Sequence, residues 1–180
     1  MMDEFIDVVD EKDRVIKKVR RSVCHKKNLR HRRVAVLIFK DDSYRETLLQ
    51  KRSNSKDIAP GKWAHLEGHL CSGESYLNGA RREIEEEMFD LKNTASKVKL
   101  VKLFKFKSSL DGDEVFITVF RAVLPGPFHL QKEEVERYRF VKINDLIKDV
   151  RLHPRKYTET CRLLFREYAQ EFLKHARRAY

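Results

Sequence analysis

Carboxylate side chains are concentrated in one stretch in the middle of the chain, GHLCSGESYLNGARREIEEE, which runs from Gly68 to Glu87. On a helix, Glu83, Glu86 and Glu87 would share one face, because they lie three and four residues apart. Like charges at this spacing repel each other, so helix stability gives no reason to cluster them. A hard divalent cation such as Mg2+ would offset the repulsion, since it prefers oxygen ligands and also binds substrate phosphates. The spacing therefore predicts either a metal site or a solvated acidic face of a helix.

A loop opened by glycine and followed by a helix would hold these carboxylates in place. We predict the helix from Glu74 to Met88, because apolar residues recur there at helical spacing and form one face. Ser72 is the expected N-cap, since its hydroxyl group can accept a hydrogen bond from an amide of the first turn. The apolar face of this helix comprises Tyr76, Leu77, Ala80, Ile84 and Met88.

The remaining pattern predicts a single α/β domain over residues 1–180, with a mixed β-sheet sandwiched between α-helices. Residues 1–31 form an N-terminal extension: a β-hairpin from Glu4 to Val19, with its turn at residues 10–13, and a basic segment. Val34 to Phe39 is a continuous apolar run, which predicts a strand buried on both faces. Further strands are expected at residues 47–52, 63–70, 97–107, 114–123 and 136–141, and helices at 144–150 and 156–176.

The composition indicates a protein with a heavily charged surface. Lys and Arg total 39 against 28 Asp and Glu, a formal net charge of +11. This excess favours a phosphorylated metabolite, a nucleic acid or an acidic membrane surface as partner, or it serves solubility alone. No run of about 18 apolar residues is present that could cross a bilayer. Cys24, Cys71 and Cys161 form no CxxC pattern, which predicts free thiols and a cytoplasmic location.

The central stretch resembles the Nudix box, G-x5-E-x7-R-E-U-x-E-E-x-G-U, where U is an aliphatic residue. The last two positions depart from that pattern, because Phe89 stands at the glycine position and Asp90 at the aliphatic position. The resemblance implies a Nudix fold, a Mg2+ or Mn2+ cofactor, and hydrolysis of a pyrophosphate bond, with residues 68–90 as the loop and helix of the site. Seven residues match the box: Gly68, Glu74, Arg82, Glu83, Ile84, Glu86 and Glu87.

The Nudix resemblance also implies roles for individual residues. Arg82 would take part in catalysis by holding the glutamates in position. Two residues are candidates for the base that deprotonates the attacking water, Glu83 and Glu134; either could instead bind metal, and Glu134 also fits a charged turn. The expected metal ligands are Glu83, Glu86, Glu87 and a backbone carbonyl group at Gly68, and the expected substrate-binding residues are Arg52, His69 and Glu74.

Outside the box, the segments DVVDEKDRVI, HKKNLRHRRVAVLIF, LLQKRS, PGKW and GPFHLQKEEVERYRFV resemble one Nudix branch. That branch groups isopentenyl-diphosphate isomerases with hydrolases similar to them. His25, His31 and His69 are similar to the metal-binding histidines of the isomerases, although the first two also fit surface or scaffold residues. The isomerases have a catalytic cysteine where this chain has Glu67, and Glu114 matches only one of their paired acids. Because the box acids are intact, the pattern favours a hydrolase on an isomerase-like scaffold.

Three functions remain open from the sequence. The first is a Mg2+-dependent Nudix hydrolase that cleaves a phosphoanhydride bond in a phosphorylated small molecule. The second is an isopentenyl-diphosphate isomerase-like enzyme, and the third is a phosphate- or RNA-binding module, which the net charge suits. Selectivity for the substrate is expected in loops at residues 53–62, 107–114 and 125–132, whose sequences identify no leaving group. The sequence also leaves open whether the protein forms a homodimer.

Overall fold

The computed structural model describes residues 3–56, 58–88, 98–110 and 112–169. Phe89, Asp90 and Lys97 lie outside these ranges, as does the part of the expected C-terminal helix after residue 169. The strands within the described ranges are β1 (Phe5–Val9), β2 (Val15–Arg20), β3 (His31–Phe39), β4 (Glu46–Arg52), β5 (Trp63–Ala64), β6 (Leu66–His69), β7 (Val101–Leu110), β8 (Asp113–Val123) and β9 (Val135–Lys142). The helices are α1 (Arg21–Lys26), α2 (Tyr76–Met88), α3 (Ile143–Leu152) and α4 (Glu159–Glu167).

β3 is the central strand of a mixed sheet. The sheet has the order β5-β4-β3-β8-β7, with β6 also paired to β3 and β9 to β4. β3 and β8 run parallel, with His31 opposite Val115 and Phe39 opposite Val123, and the other pairs are antiparallel. The predicted buried strand is confirmed, since no residue from Val34 to Phe39 is more than 1% exposed. A strand that is paired in parallel and covered on both faces needs such a continuous apolar run.

Helices cover the central sheet on both faces, which confirms the predicted α/β sandwich. On one face, α2 buries Ala80, Ile84 and Met88 against alternate residues of β3. On the other face, α3 and α4 bury Leu146 and Leu164 against the remaining residues of that strand. Successive side chains of a strand point to opposite faces, so β3 contributes to both cores. Among the helices in the described ranges, none is long and apolar enough to span a membrane.

The predicted N-terminal hairpin is also confirmed. β1 and β2 pair antiparallel, and the hairpin packs against the body of the fold. In its turn, Asp13 forms ion pairs with Arg32 of β3 and Lys105 of β7. Asp13 also accepts a hydrogen bond from the hydroxyl group of Tyr76 at 3.1 Å. One carboxylate therefore fixes the hairpin to the sheet and to the first residue of α2.

The acid-rich helix begins later than predicted, at Tyr76. The predicted N-cap, Ser72, is wrong, because its hydroxyl group donates to a carboxylate oxygen of Asp7 at 2.7 Å. The amide of Asn78 instead donates to the hydroxyl oxygen of Ser75 at 3.2 Å, so Ser75 caps the first turn. Ser72, which the local sequence favours as the cap, is instead hydrogen-bonded to Asp7 of the hairpin.

Two predictions made from local patterns in the middle of the chain are wrong. The strand expected over residues 63–70 is divided into β5 and β6, because the chain changes partner at the buried His65. Residues 63–64 pair with β4, whereas residues 66–69 pair with β3. The segment 107–114, expected as a selectivity loop, belongs mostly to the β7–β8 hairpin, whose pairing continues to Leu110 and Asp113.

The C-terminal helix predicted over residues 156–176 also begins later. Residue 156 ends a short 3-10 helix, Pro154–Lys156, and α4 starts at Glu159. The hydroxyl oxygen of Thr158 accepts a hydrogen bond from the amide of Cys161 at 3.4 Å, so it is the N-cap of α4. The cap and the preceding proline-led turn account for the later start.

Candidate active site

β6 brings Gly68 directly against the acidic face of α2. Gly68 lies opposite Val34 in the antiparallel β3–β6 pair. A Cβ atom on Gly68 would lie 2.0 Å from Oε1 of Glu83, far inside van der Waals contact. The carboxylate of Glu83 can therefore lie against the strand backbone only because the strand has glycine there, as expected for a close approach within a sheet.

The Arg82 guanidinium group joins the loop to the helix. Its Nη1 lies 2.7 Å from Oε1 of Glu83 and 2.9 Å from Oε2 of Glu86. Its Nη2 lies 3.0 Å from Oε2 of Glu74 and donates to the carbonyl oxygen of His69 at 2.7 Å. The planar guanidinium group has enough donors for all four acceptors. The expected pairing of Arg82 with Glu83 and Glu74 is present, and Glu86 joins it.

Glu83, Glu86 and Glu87, here called the acid cluster, differ in their surroundings. Glu83 is 7% exposed, and burial raises its pKa to about 7 although the charge of Arg82 acts in the opposite direction. Burial, together with the charge of Glu83, raises the pKa of Glu87 to about 8. Glu86 is exposed. Close carboxylates in a site of low polarity are stabilised by a cation, and this set of oxygen donors fits a hard divalent ion.

β4 and the turn before β9 form the other side of the acid cluster. The side-chain amide of Gln50 donates to Oε2 of Glu87 at 2.5 Å. The charges of Glu134 and Arg52 also influence the pKa of Glu87, in opposite directions. Glu134 itself forms an ion pair with Lys56. Arg52 and Glu134 therefore lie near enough to the acid cluster to act on it electrostatically.

Sequence reasoning missed Gln50. The available signal was strand alternation, because residues two apart on a strand point to the same face. Once Arg52 is assigned to the site, Gln50 must face it as well. The neighbouring Leu48 continues that row and is buried beside α2.

Three histidines, here called the histidine cluster, come together on the other side of the sheet. His25 of α1, His31 of β3 and His69 of β6 each offer a ring nitrogen, and these atoms lie within 4.8 Å of one another. The interpretation of His31 as a surface residue is wrong, since it is fully buried. Nδ1 of His31 lies 2.9 Å from the carbonyl oxygen of Leu29, so it carries the proton and leaves Nε2 as the acceptor. Imidazole nitrogens arranged in this way suit a transition metal.

Burial and the nearby charges of Arg33 and Arg21 lower the pKa of His69 well below its usual value. His69 is therefore neutral, as a metal ligand must be. It follows Gly68 on the strand and so points to the opposite face of β6, away from the acid cluster. The predicted contact of the His69 side chain with substrate stays a prediction. Its backbone carbonyl group is bound by Arg82.

Glu74, also expected to bind substrate, has its carboxylate engaged within the protein. Its Oε2 accepts a hydrogen bond from the amide of Cys71 at 2.9 Å and pairs with Arg82. Both bonds hold the loop between β6 and α2 in one conformation. The structure therefore places Glu74 among the groups that shape the site.

Comparison with known proteins decides the family. Residues 29–161 match the model of the NUDIX domain. The chain belongs to the Nudix family. Members of this family hydrolyse pyrophosphate bonds and generally use divalent metals, and this chain is a hydrolase of that class.

Individual Nudix relatives agree with this assignment. An uncharacterised Nudix hydrolase of Yersinia pestis is 36% identical over 134 residues, which cover 74% of this chain and 70% of that protein. An isopentenyl-diphosphate Delta-isomerase of Serratia proteamaculans is 29% identical over 161 residues, 87% of each chain. A crystal structure from Deinococcus radiodurans has the same fold, with a TM-score of 0.75 and 20% identity over 91% of this chain and 98% of that one.

In this Nudix chain, position 67 is part of a buried ionic network. Oε2 of Glu67 lies 3.2 Å from Nη2 of Arg33 and 3.9 Å from Nε2 of His65. Glu67 also accepts a hydrogen bond from the side chain of Thr160, and although burial opposes it, the charge of Arg33 keeps the pKa of Glu67 lowered. Glu67 is two residues from His69 and therefore lies on the same face of β6 as the histidine cluster.

Sequence reasoning also missed Asp7, which lies before the residues matched to the Nudix domain. Asp7 is 8% exposed and its carboxylate accepts hydrogen bonds from the Ser72 hydroxyl at 2.7 Å and the Gly73 amide at 2.8 Å. The Ser72 amide donates to the carbonyl oxygen of Phe5 at 2.8 Å. The hairpin thus binds the loop between β6 and α2 on one side, and Arg82 and Glu74 bind it on the side of the acid cluster. No local pattern around residue 7 indicates this contact.

Replacing Gly68 with alanine should remove divalent-cation binding at the acid cluster. The new methyl group would displace the Glu83 carboxylate, so we expect Gly68→Ala to weaken Mn2+ binding by more than about tenfold in titration calorimetry. Asn78→Ala is the control, because Asn78 is exposed on the same helix as Glu83. Equal Mn2+ affinity in the Gly68→Ala variant and the wild type would contradict this account of the site.

Asp7→Asn should loosen the loop between β6 and α2. Asparagine can replace only one of the two acceptor oxygens, so we expect a loss of about 1–2 kcal/mol in the free energy of unfolding. Amide hydrogen exchange should become faster at residues 71–73. Asp10→Asn is the control, because Asp10 accepts hydrogen bonds within the hairpin turn, from the amides of Lys12 and Arg14 and from the Arg14 side chain. Unchanged exchange at residues 71–73 would show that Asp7 does not hold the loop.

Proposed function

We propose that this protein is a Mg2+-dependent Nudix hydrolase that cleaves the phosphoanhydride bond of a nucleoside diphosphate-linked or related substrate. The observation that carries the proposal is the packing of the Glu83 carboxylate on the backbone of Gly68, with Arg82 bound to three carboxylates around it. A structural helix would have no use for a buried glutamate in contact with a glycine. A metal site needs that placement.

The ligands would come from both sides of this contact. Glu83, Glu86, Glu87 and the backbone carbonyl group of Gly68 would hold Mg2+, or Mn2+ in its place. When bound, the ion would neutralise charge on the pyrophosphate and favour the formation of hydroxide from water. Arg82, which binds Glu74, Glu83 and Glu86, would hold these carboxylates in fixed orientations.

We assign the general base to Glu134. The carboxylate of Glu83 faces Gly68 and is bound by Arg82, so its geometry suits a ligand. Glu134 lies near enough to Glu87 for its charge to raise the pKa of Glu87, and it forms an ion pair with Lys56; its carboxylate would accept the proton of the attacking water. Arg52, whose charge acts on Glu87, would bind a substrate phosphate.

Further features agree with a phosphorylated substrate met in the cytoplasm. The formal net charge of +11 attracts phosphates over a distance of about 10 Å at ordinary ionic strength. None of the three cysteines, which all lie in the described ranges, forms a disulfide, as is usual in a reducing compartment. We assign residues 1–180 to one catalytic domain, because the hairpin contacts the loop of the site.

Neutralising single acids of α2 tests the proposal. We expect Glu86→Gln and Glu87→Gln each to lower kcat by at least about 100-fold, more than is usual for residues that only support metal ligands. Glu85→Gln is the matched control, since Glu85 lies on the same helix at a position that the box does not specify. The substrates to be screened with Mg2+ or Mn2+ are nucleoside di- and triphosphates, dinucleoside polyphosphates, nucleotide sugars, capped RNA and prenyl diphosphates. Full activity of both variants would refute the proposed metal site.

The histidine cluster favours one second candidate, an isopentenyl-diphosphate isomerase-like activity. Its three imidazoles would hold a metal as the isomerase resemblance implies. Against it, the position of the isomerase cysteine is occupied by Glu67, whose carboxylate is bound to Arg33. An assay of prenyl diphosphate interconversion, run with the wild type and His31→Gln in Mn2+ or Zn2+, separates the two functions. Turnover that requires His31 but not Glu87 would favour the isomerase.

The remaining alternative, a phosphate- or RNA-binding module, is distinguished by the same screen. It predicts RNA binding that weakens strongly with added salt, without metal and without hydrolysis of any pyrophosphate. The acid cluster argues against it, because carboxylates without a metal repel phosphates.

A further inference from the structure

The side chain of Gln50 is buried at the acid cluster with only half of its hydrogen-bonding groups used. It is 2% exposed, and its amide nitrogen donates to Oε2 of Glu87 at 2.5 Å. Its amide oxygen, Oε1, is buried and accepts no hydrogen bond from the residues that the structure describes. A buried amide oxygen without a donor is unfavourable, so this one points to a missing partner.

The amide orientation is fixed by its neighbour. With Glu87 ionised, as a metal ligand must be, turning the amide over would bring its oxygen, in place of its nitrogen, to 2.5 Å from a carboxylate oxygen of Glu87, a repulsive contact. The nitrogen must therefore face Glu87, and Oε1 must point away from that oxygen. Arg52 lies two residues along the strand and so shares this face of β4.

A role in simple core packing does not account for Gln50. The preceding residue on the same face, Leu48, is apolar and packs against α2. A leucine at position 50 would fill a similar volume without leaving a polar atom unsatisfied. A glutamine at this position is explained if both its amide nitrogen and its amide oxygen form hydrogen bonds when metal and water are bound at the acid cluster.

We propose that Gln50 is a positioning residue for hydrolysis. Its N–H group holds the Glu87 carboxylate in the orientation of a metal ligand, and its Oε1 accepts a hydrogen bond from a water or hydroxyl group bound at the acid cluster. This inference rests on the proposed function and adds a residue outside the box, from the strand facing α2. Groups that orient metal ligands in this way influence metal affinity and turnover together.

The test compares Gln50→Leu with Thr47→Val. Thr47 is on the same strand, is 1% exposed, and donates to the carbonyl oxygen of Ile38 at 3.1 Å. Thr47→Val therefore removes one buried hydrogen bond on the face away from α2. Mn2+ affinity is measured by titration calorimetry on metal-free protein, and kcat and KM at saturating metal are measured on the best substrate of the screen.

For Gln50→Leu we expect Mn2+ affinity to fall about tenfold, within the range for groups that support metal ligands. At saturating metal, kcat should still be about tenfold lower with KM nearly unchanged, because the acceptor for the bound water is lost. Thr47→Val should change neither quantity more than about twofold. If Gln50→Leu lowers the melting temperature more than Thr47→Val does, Gln50→Met, an unbranched side chain of similar length, is measured instead.

The possible results separate this inference from the proposed function. Metal binding and turnover by the wild type, with Gln50→Leu or Gln50→Met equal to Thr47→Val, would overturn the role of Gln50 alone. A wild type that binds no Mn2+ and cleaves no pyrophosphate would overturn the proposed function and the inference with it. A loss of Mn2+ affinity without any further loss of kcat at saturating metal would overturn the assignment of Oε1 to the bound water.

Discussion

The guanidinium group of Arg82 is the interaction on which the rest of the site depends. Three carboxylates and one backbone carbonyl group converge on it. Without that cation, the glutamates of α2 would repel each other and Glu83 would be a buried charge beside bare backbone. Because Arg82 also binds the loop before the helix, the same contact that balances charge fixes the geometry of the carboxylates relative to Gly68.

β6 connects this centre to the rest of the fold because its two faces serve two different clusters. Gly68 points toward α2 and makes room for Glu83. The residues on either side of it, Glu67 and His69, point to the face covered by α4, where they join Arg33 and the other histidines. A change in the position of this short strand would therefore alter both clusters. Its pairing with β3, buried on both sides, opposes such a change.

The predictable parts of the structure are those encoded by local periodicity or by spacing within one element. The run from Val34 to Phe39 specifies a doubly covered strand, and the spacing of Glu83, Glu86 and Glu87 specifies a shared helix face. The N-cap of α2 and the role of Asp7 could not be predicted, because both depend on a contact between residues about 65 positions apart. The burial of His31 could not be predicted for a similar reason. The basic residues around it indicate a surface segment, whereas its pairing with β8 places it inside the fold.

The N-terminal hairpin shows how far the site extends beyond the matched Nudix residues, 29–161. Asp7 binds the loop that follows β6, and α1, which follows the hairpin, brings His25 to within 4.9 Å of His69 between ring centroids. The contact of Asp7 restrains the loop next to the acid cluster. The contact of His25 restrains β6 at the histidine cluster. The N-terminal hairpin and α1 thus restrain β6 and the loop after it from one side. Arg82 restrains the same strand and loop from the side of α2. The acid cluster needs both restraints, because a carboxylate can only be an accurate ligand when the backbone it rests on is fixed.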